Sequence, residues 1–298
     1  MGKLRHVDKR FRPRLVVEGA GVHLHRAFGY HEVPLFDPFL LFDDFRCTEP
    51  RLYQSGFPWH PHRGIITVTY LLAGSVEHQD SLGNKGTIGA GELQWMTAGS
   101  GIIHQEMPVG NDQGHLEGFQ LWINLPACYK LVPPAYRQIG AEGIPRVESD
   151  EGLVRVISGR FGDVSGPIQD DHIDVTWLDV TLPPKREFHF PARLGDMVCC
   201  YGIDGEGFLP YREANGQVEY RQVLHNRQLF LFENGEQIVI RTGDEALRFF
   251  LFSGHPLSES VAWRGPVVMN TQEEIDLAFA ELNRGEFIRH PAVGNLMT

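Results

Sequence analysis

The chain is written in short apolar runs separated by glycine and proline. Ile65-Ile66-Thr67-Val68-Thr69-Tyr70-Leu71-Leu72 is rich in β-branched residues and stops at Gly74; such side chains suit a pleated, buried surface. Ser81-Leu82-Gly83-Asn84-Lys85-Gly86 and Gly89-Ala90-Gly91 read as turns, and the run from Gly118 to Leu125 (GFQLWINL) as a further strand. Asp174 to Leu182 (DVTWLDVTL) mixes apolar and polar residues as a half-buried strand does. Leu229-Phe230-Leu231-Phe232, Ile238-Val239-Ile240 and Phe249-Phe250-Leu251-Phe252 follow. Short strands with turn signals about every 8–12 residues predict an all-β sandwich or barrel. Between Leu131 and Pro145 stand Pro133, Pro134, Gly140 and Gly143, the texture of a connection. The chain is therefore expected to divide into 1–132 and 146–298, joined by 133–145, with the second part repeating the architecture of the first.

One segment carries a helical period. Thr271-Gln272-Glu273-Glu274 is a capping-box pattern. Ile275, Ala278, Phe279 and Leu282 then fall at i, i+3, i+4 and i+7, and Gly285 stands where a glycine cap would. A short C-terminal helix is expected here, covering a sheet.

Composition narrows the functional classes. The chain has 298 residues, 42% hydrophobic and 22% charged, with ample length for a core. Its net charge of −11 disfavours direct nucleic-acid binding. Cys47, Cys128, Cys199 and Cys200 form no CxxC pair and no disulfide framework, so free thiols in a reducing compartment are expected. No apolar run follows the first charged residues, and none is long enough to span a bilayer. A cytoplasmic protein is expected, nuclear as well if the source is eukaryotic, with no membrane partner.

The chemistry concentrates in two pairs, His60-Pro61-His62 and His104-Gln105-Glu106. Side chains at i and i+2 of a strand share a face. If the two strands face each other, His60, His62, His104 and Glu106 supply three imidazoles and a carboxylate around one point. That set suits a divalent transition metal with open coordination positions. His23-Leu24-His25 has the same spacing but no matching second pair, and reads as an ordinary strand pair. His172, His189, His225, His255 and His290 form no HxH or HxE pair. His78 reads either as a partner of a ligand or substrate, or as a histidine hydrogen-bonded in a turn. Arg63 and Gln120 are candidate pocket residues. Phe57 and Trp95, with Trp59 and Met96, either pack or form an apolar pocket over the metal.

Several segments resemble the pirin family of the cupin superfamily. They are Asp37 to Phe45 (DPFLLFDDF), Gly56 to Tyr70 (GFPWHPHRGIITVTY), Gly91 to Pro108 (GELQWMTAGSGIIHQEMP), and Gly265 to Thr271 (GPVVMNT) with Glu273-Glu274-Ile275. The resemblance implies two cupin-type β-barrel (jelly-roll) domains, with a metal in the N-terminal one only. It also implies His60, His62, His104 and Glu106 as ligands. Two departures stand out. Ile66 occupies a position where many pirins carry a glutamate, leaving Glu106 as the carboxylate. Glu259 to Trp263 departs from the usual proline-containing sequence before the GP motif.

Fe(II) is the metal the resemblance implies. Mn, Ni, Co or Cu could occupy such a shell, and Zn fits the ligands but lacks redox chemistry. The expected activity is that of a quercetin 2,3-dioxygenase-like enzyme on flavonols or related enolic aromatic substrates. The substrate's enolic hydroxyl would meet the metal, Glu106 would accept its proton, and O₂ would react with the electron-rich ring. The alternative is an iron- and redox-sensing regulatory protein that acts through a protein partner. A purely structural metal is the third reading.

Overall fold

The computed structural model describes residues 2–168, 171–212 and 217–290. These residues are organised in two compact units of β-structure with one α-helix. The unit that carries both histidine pairs comprises Arg14–Leu35, Phe39–Ala141 and residues 257–290.

Among the described residues this unit has two main sheets, besides a two-stranded ribbon of Ala262–Arg264 with Val267–Met269. The larger contains β2 (Arg14–Glu18), β3 (Val22–Phe28), β4 (Phe39–Asp44), β6 (Ile65–Ala73), β9 (Leu93–Thr97), β11 (Glu117–Asn124) and β12 (Ala135–Ile139), in the spatial order β12-β9-β6-β11-β4-β3-β2. The smaller contains β5 (Phe57–His62), β7 (Ser75–Asp80), β8 (Lys85–Ile88) and β10 (Ile102–Val109), in the order β5-β10-β7-β8. The β-branched run predicted at 65–72 forms β6, a central strand whose Ile65, Ile66, Val68, Tyr70 and Leu71 are fully buried. Each such side chain contributes about 1.5–3 kcal/mol on leaving water. β5 contains Pro58 and Pro61, which remove ladder donors, and it accordingly lies at a sheet edge.

The inner face of the larger sheet alternates by layer. In register across it stand Gln94 on β9, Thr69 on β6, Gln120 on β11, Asp43 on β4 and Arg26 on β3. Leu71 packs on one side of this polar row with Val22, Leu24 and Phe45. Ile65 and Met96 pack on the other with Ile102 and Val268.

The chain divides differently from the expected 1–132, 133–145 and 146–298. Residues 2–13 and Phe36–Pro38 belong with 142–256, because β1 (Val7–Phe11) pairs antiparallel with Leu229–Phe232. Residues 257–290 belong with the histidine-bearing unit. There the Val268 N–H donates to the Arg63 carbonyl at 3.1 Å. Val267 and Met269 also cluster with Ile275, Ala278 and Phe287. The expected connection 133–145 contains β12, which pairs with β9 along its length. Proline and glycine bound this edge strand rather than marking a structureless linker.

The helix α1 (Gln272–Arg284) forms as predicted. Thr271 Oγ1 accepts from the Glu274 N–H at 3.2 Å, Glu274 returns a carboxylate to the Thr271 N–H at 3.0 Å, and Gly285 closes the helix at φ 72°. Gly64 connects β5 to β6 at φ 77°, where a Cβ would run into the Val268 carbonyl oxygen. Gly64→Ala combines left-handed strain with overpacking, and is expected to lower unfolding free energy by about 2–4 kcal/mol, read from the denaturant midpoint.

The other unit is built on a ten-stranded sheet. Its interior is packed with apolar side chains, among them Val156, Leu178, Val180, Val198, Phe230 and Leu251. Among the described residues it holds no cluster of histidine, cysteine and carboxylate side chains at metal-binding spacing. All four cysteines are free, and Cys199 and Cys200 are buried.

Candidate metal centre

β5 and β10 are antiparallel neighbours, with His60 directly opposite His104 and His62 opposite Ile102. Period-2 alternation places His60 and His62 on one face, and His104 joins them. One nitrogen from each of the three rings lies within 4.8 Å of the others. His62 and His104 are buried and His60 is half-buried.

The hydrogen bonds of these rings suit a bound cation. His60 Nδ1 lies 2.8 Å from the Pro58 carbonyl, and His62 Nδ1 lies 3.1 Å from the Pro266 carbonyl. A carbonyl only accepts, so each Nδ1 carries a proton, and in the neutral rings each Nε2 is a bare lone pair. Yet His60 Nε2 and His62 Nε2 face each other at 3.1 Å. Two lone pairs at that distance repel unless a cation sits between or beside them. His104 is wholly buried, and neither of its ring nitrogens has a hydrogen-bond partner. Leaving a buried polar atom unpaired costs about 1–3 kcal/mol. A metal accepting all three imidazole nitrogens removes both penalties, so the residues present fit a divalent transition metal.

Glu106 shares the inward face of β10 with His104 but stands outside the three-histidine cluster. The pairing of β5 with β10 shifts register between His104 and Glu106, so Glu106 lies opposite Phe57. Its carboxylate reaches the larger sheet instead. Thr69 Oγ1 donates to Oε1 at 3.0 Å, Gln94 Nε2 to Oε1 at 3.4 Å, and Gln120 Nε2 to Oε2 at 2.9 Å. Trp122 Nε1 donates to Gln120 Oε1 at 3.0 Å, which fixes which end of that amide faces Glu106. Three donors thus orient the carboxylate.

A cleft of about 550 Å³ opens over His60 and His62. Phe57, Gln120, Trp122, Trp263 and Tyr30 line it, and Arg26, Asp43 and Glu18 close one end. The Trp122 and Trp263 rings lie 5.8 Å apart at 34°, Tyr30 meets Trp263 edge-on at 5.7 Å, and Trp122 meets the His62 ring at 4.9 Å. Such walls suit a flat aromatic ligand.

The family follows from comparison with known proteins. A family model described as Pirin matches residues 21–123, and one described as Pirin C-terminal cupin domain matches residues 177–288. A pirin-like protein of Caulobacter vibrioides is 40% identical over 286 residues, covering 95% of this chain and 99% of that protein. The chain belongs to the pirin family. Pirin of Homo sapiens is 35% identical over 288 residues, covering 96% of this chain and 95% of that protein. Among solved structures, a quercetin 2,3-dioxygenase from Acinetobacter baumannii superimposes with a TM-score of 0.82 at 28% identity, covering 95% of this chain and 98% of that one. The two barrels of this pirin-family chain are therefore cupin domains.

The other candidate residues of this pirin-family site separate. Phe57 and Gln120 line the cleft. Arg63 does not. It follows His62 on the opposite parity and turns under α1, where Nη1 pairs with Glu281 at 2.7 Å, Nη2 donates to the Phe287 carbonyl at 2.9 Å, and the guanidinium stacks over the Phe287 ring. Trp95 is buried on the face of β9 opposite Gln94 and takes no part in the cleft. His78 is buried on β7, next to β10. Its Nε2 pairs with Asp80 at 3.2 Å, and its ring stacks on Tyr136 and lies 5.4 Å from His104. It neighbours the cluster without joining it. Met96 is buried in the core and Trp59 is exposed. His23 and His25 lie on β3 outside the cluster, with Leu24 between them pointing to the core.

Sequence reasoning missed Tyr30, Trp122, Trp263 and the Arg26–Asp43 pair. It also missed Lys130, which is buried and donates to the carbonyls of Gly64 at 2.8 Å and Val268 at 3.0 Å and to the Asn124 side chain. Burial pulls its amine down to about 7.

Acid should destabilise the metal-free pirin-family chain. Burial, with the neighbouring His60 adding to it, holds His62 and His104 well below the ordinary histidine range. Below the unfolded value of about 6.5, the unfolded chain takes up protons that the folded chain refuses. Stability present above that pH is lost on acidification, at up to about 1.4 kcal/mol per pH unit for each ring. Thermal melts of chelator-treated protein from pH 7 to pH 5 should show a falling Tm. The metal-loaded protein should resist, because a bound metal occupies the nitrogens that would be protonated.

Proposed function

We propose that this pirin-family chain is a metal-dependent dioxygenase of flavonols or closely related enolic aromatic compounds. The observation that carries the metal is the pair of imidazole lone pairs facing each other at 3.1 Å beside the unpartnered ring of His104. The aromatic cleft directly over those imidazoles supports the substrate class, as does the likeness to a solved quercetin 2,3-dioxygenase.

His60, His62 and His104 would hold the metal, with Glu106 as the neighbouring carboxylate. Iron is the proposed metal; a redox-capable divalent ion there would bring O₂ and the enolic substrate into reaction. The protein's own groups do the rest. Trp122, Trp263 and Tyr30 orient the planar substrate so that its enolic hydroxyl points at the imidazoles. Glu106 accepts the hydroxyl proton on a carboxylate oxygen. Thr69, Gln94 and Gln120 stabilise that carboxylate before transfer, and Trp122 keeps the Gln120 amide in the donating orientation. The Pro58 and Pro266 carbonyls fix the tautomers of His60 and His62, which raises the basicity of the coordinating nitrogens.

The test is aerobic incubation of iron-reconstituted protein with quercetin, following loss of the flavonol absorbance and release of carbon monoxide. Metal-dependent turnover with carbon monoxide release is expected. Fully metallated protein that leaves quercetin intact would overturn the flavonol assignment.

A further inference from the structure

The far end of the cleft is chemically unlike its walls. Arg26 sits in register beside Asp43, which in turn lies in register beside Gln120. Strand spacing places Asp43 roughly 5 Å and Arg26 roughly 10 Å beyond Gln120. A fused or linked pair of aromatic rings with one end at the imidazoles therefore has its other end over these residues.

Three of the five guanidinium N–H donors are held by carboxylates. Nε and Nη2 of Arg26 each donate to Asp43 at 2.8 Å, and Nη1 donates to Glu18 Oε1 at 2.9 Å. Two carboxylates against one cation leave this end net negative. Asp43 is 5% exposed, so the fork cannot easily be exchanged for water. Glu18 is different. Its side chain is 44% exposed, and Oε2 takes no hydrogen bond from any described residue. The end thus offers an open carboxylate acceptor in a net negative setting. An incoming hydroxyl can donate to Glu18, whereas an incoming carboxylate meets a net negative charge.

We propose that Glu18, backed by the Arg26–Asp43 pair, determines specificity by reading hydroxyl groups on the distal ring of the substrate and rejecting anionic ones. The substrate class is then a polyhydroxylated aromatic rather than an aromatic carboxylate. This rests on the flavonol reading above and sharpens it, assigning the distal ring's chemistry to a residue remote from the metal.

The test measures binding without turnover, by anaerobic calorimetric titration of the metal-loaded protein. Three probes share the enolic end and differ at the other: quercetin, 3-hydroxyflavone without further hydroxyls, and 3-hydroxyflavone bearing a 4′-carboxylate. Quercetin should bind about tenfold more tightly than 3-hydroxyflavone, as one or two hydrogen bonds to a charged acceptor allow. The carboxylate should bind more weakly than either. Glu18→Gln should shrink both ratios, and Glu18→Lys should favour the carboxylate over 3-hydroxyflavone. Equal binding of the three probes by the wild type, or an unchanged preference in both variants, would overturn the inference and leave the flavonol reading standing. Failure of all three probes to bind would overturn that reading, and the inference with it.

Discussion

His104→Ala is expected to weaken metal affinity by well over about 100-fold and to abolish flavonol turnover. The size of the effect follows from the position of this ring. His104 is the one imidazole of the three whose nitrogens both lack a protein partner, and it is wholly buried. Loss of an outer partner of a ligand costs about 10- to 100-fold, and loss of a ligand costs more. The same change should harm the metal-free fold little relative to other core truncations. It removes two unpaired buried nitrogens along with the ring, so the cavity cost is offset by relief of a desolvation penalty. Metal titration and chemical unfolding of the variant, both against wild type, check the two halves. A variant that binds metal normally would remove His104 from the ligand set.

Glu106→Gln is expected to separate metal binding from chemistry. The three imidazoles form a cluster without Glu106, so the variant should retain most of its metal. The neutral amide cannot take the proton of the enolic hydroxyl, and loss of a positioned general base lowers turnover by about 10²–10⁴-fold. The change is nearly isosteric, but its NH₂ must find an acceptor where Thr69, Gln94 and Gln120 now present donors. A rearranged Gln120 amide, reported by Trp122 fluorescence, should accompany the loss of kcat. Turnover within about tenfold of wild type in fully metallated Glu106→Gln would show that Glu106 is not the base.

What was legible in the sequence is what local periodicity encodes. His60 and His62 share a face because they are two residues apart, and the capping box at Thr271 and Glu274 closes within one turn of α1. The meeting of His60 with His104 required only that the two strands pair. The polar row Gln94–Thr69–Gln120–Asp43–Arg26 was not legible, since each residue comes from a different strand and only the register across the sheet aligns them. Trp95 could not be placed because all five residues of β9 are buried, so burial gives no alternation to separate its faces. Arg63 resembled a pocket residue through adjacency to His62, whereas its side chain serves α1, over 200 residues away in sequence. The unit boundaries were hidden for the same reason. β1 pairs with Leu229–Phe232 in the other unit, and Gly265 and Pro266 help to line the cleft, so residues 2–13 and 257–290 each join a unit distant in sequence.

The central claim is that His60, His62 and His104 surround a metal. Elemental analysis of protein purified without added metal, coupled to X-ray absorption at the edge of the metal found, tests it most directly. The account predicts about one divalent transition metal per chain, with a first shell dominated by imidazole nitrogens at roughly 2.0–2.2 Å, lost in His104→Ala. Protein that carries no metal and takes none up on reconstitution, or metal whose shell lacks imidazole and is unaffected by His104→Ala, would contradict it.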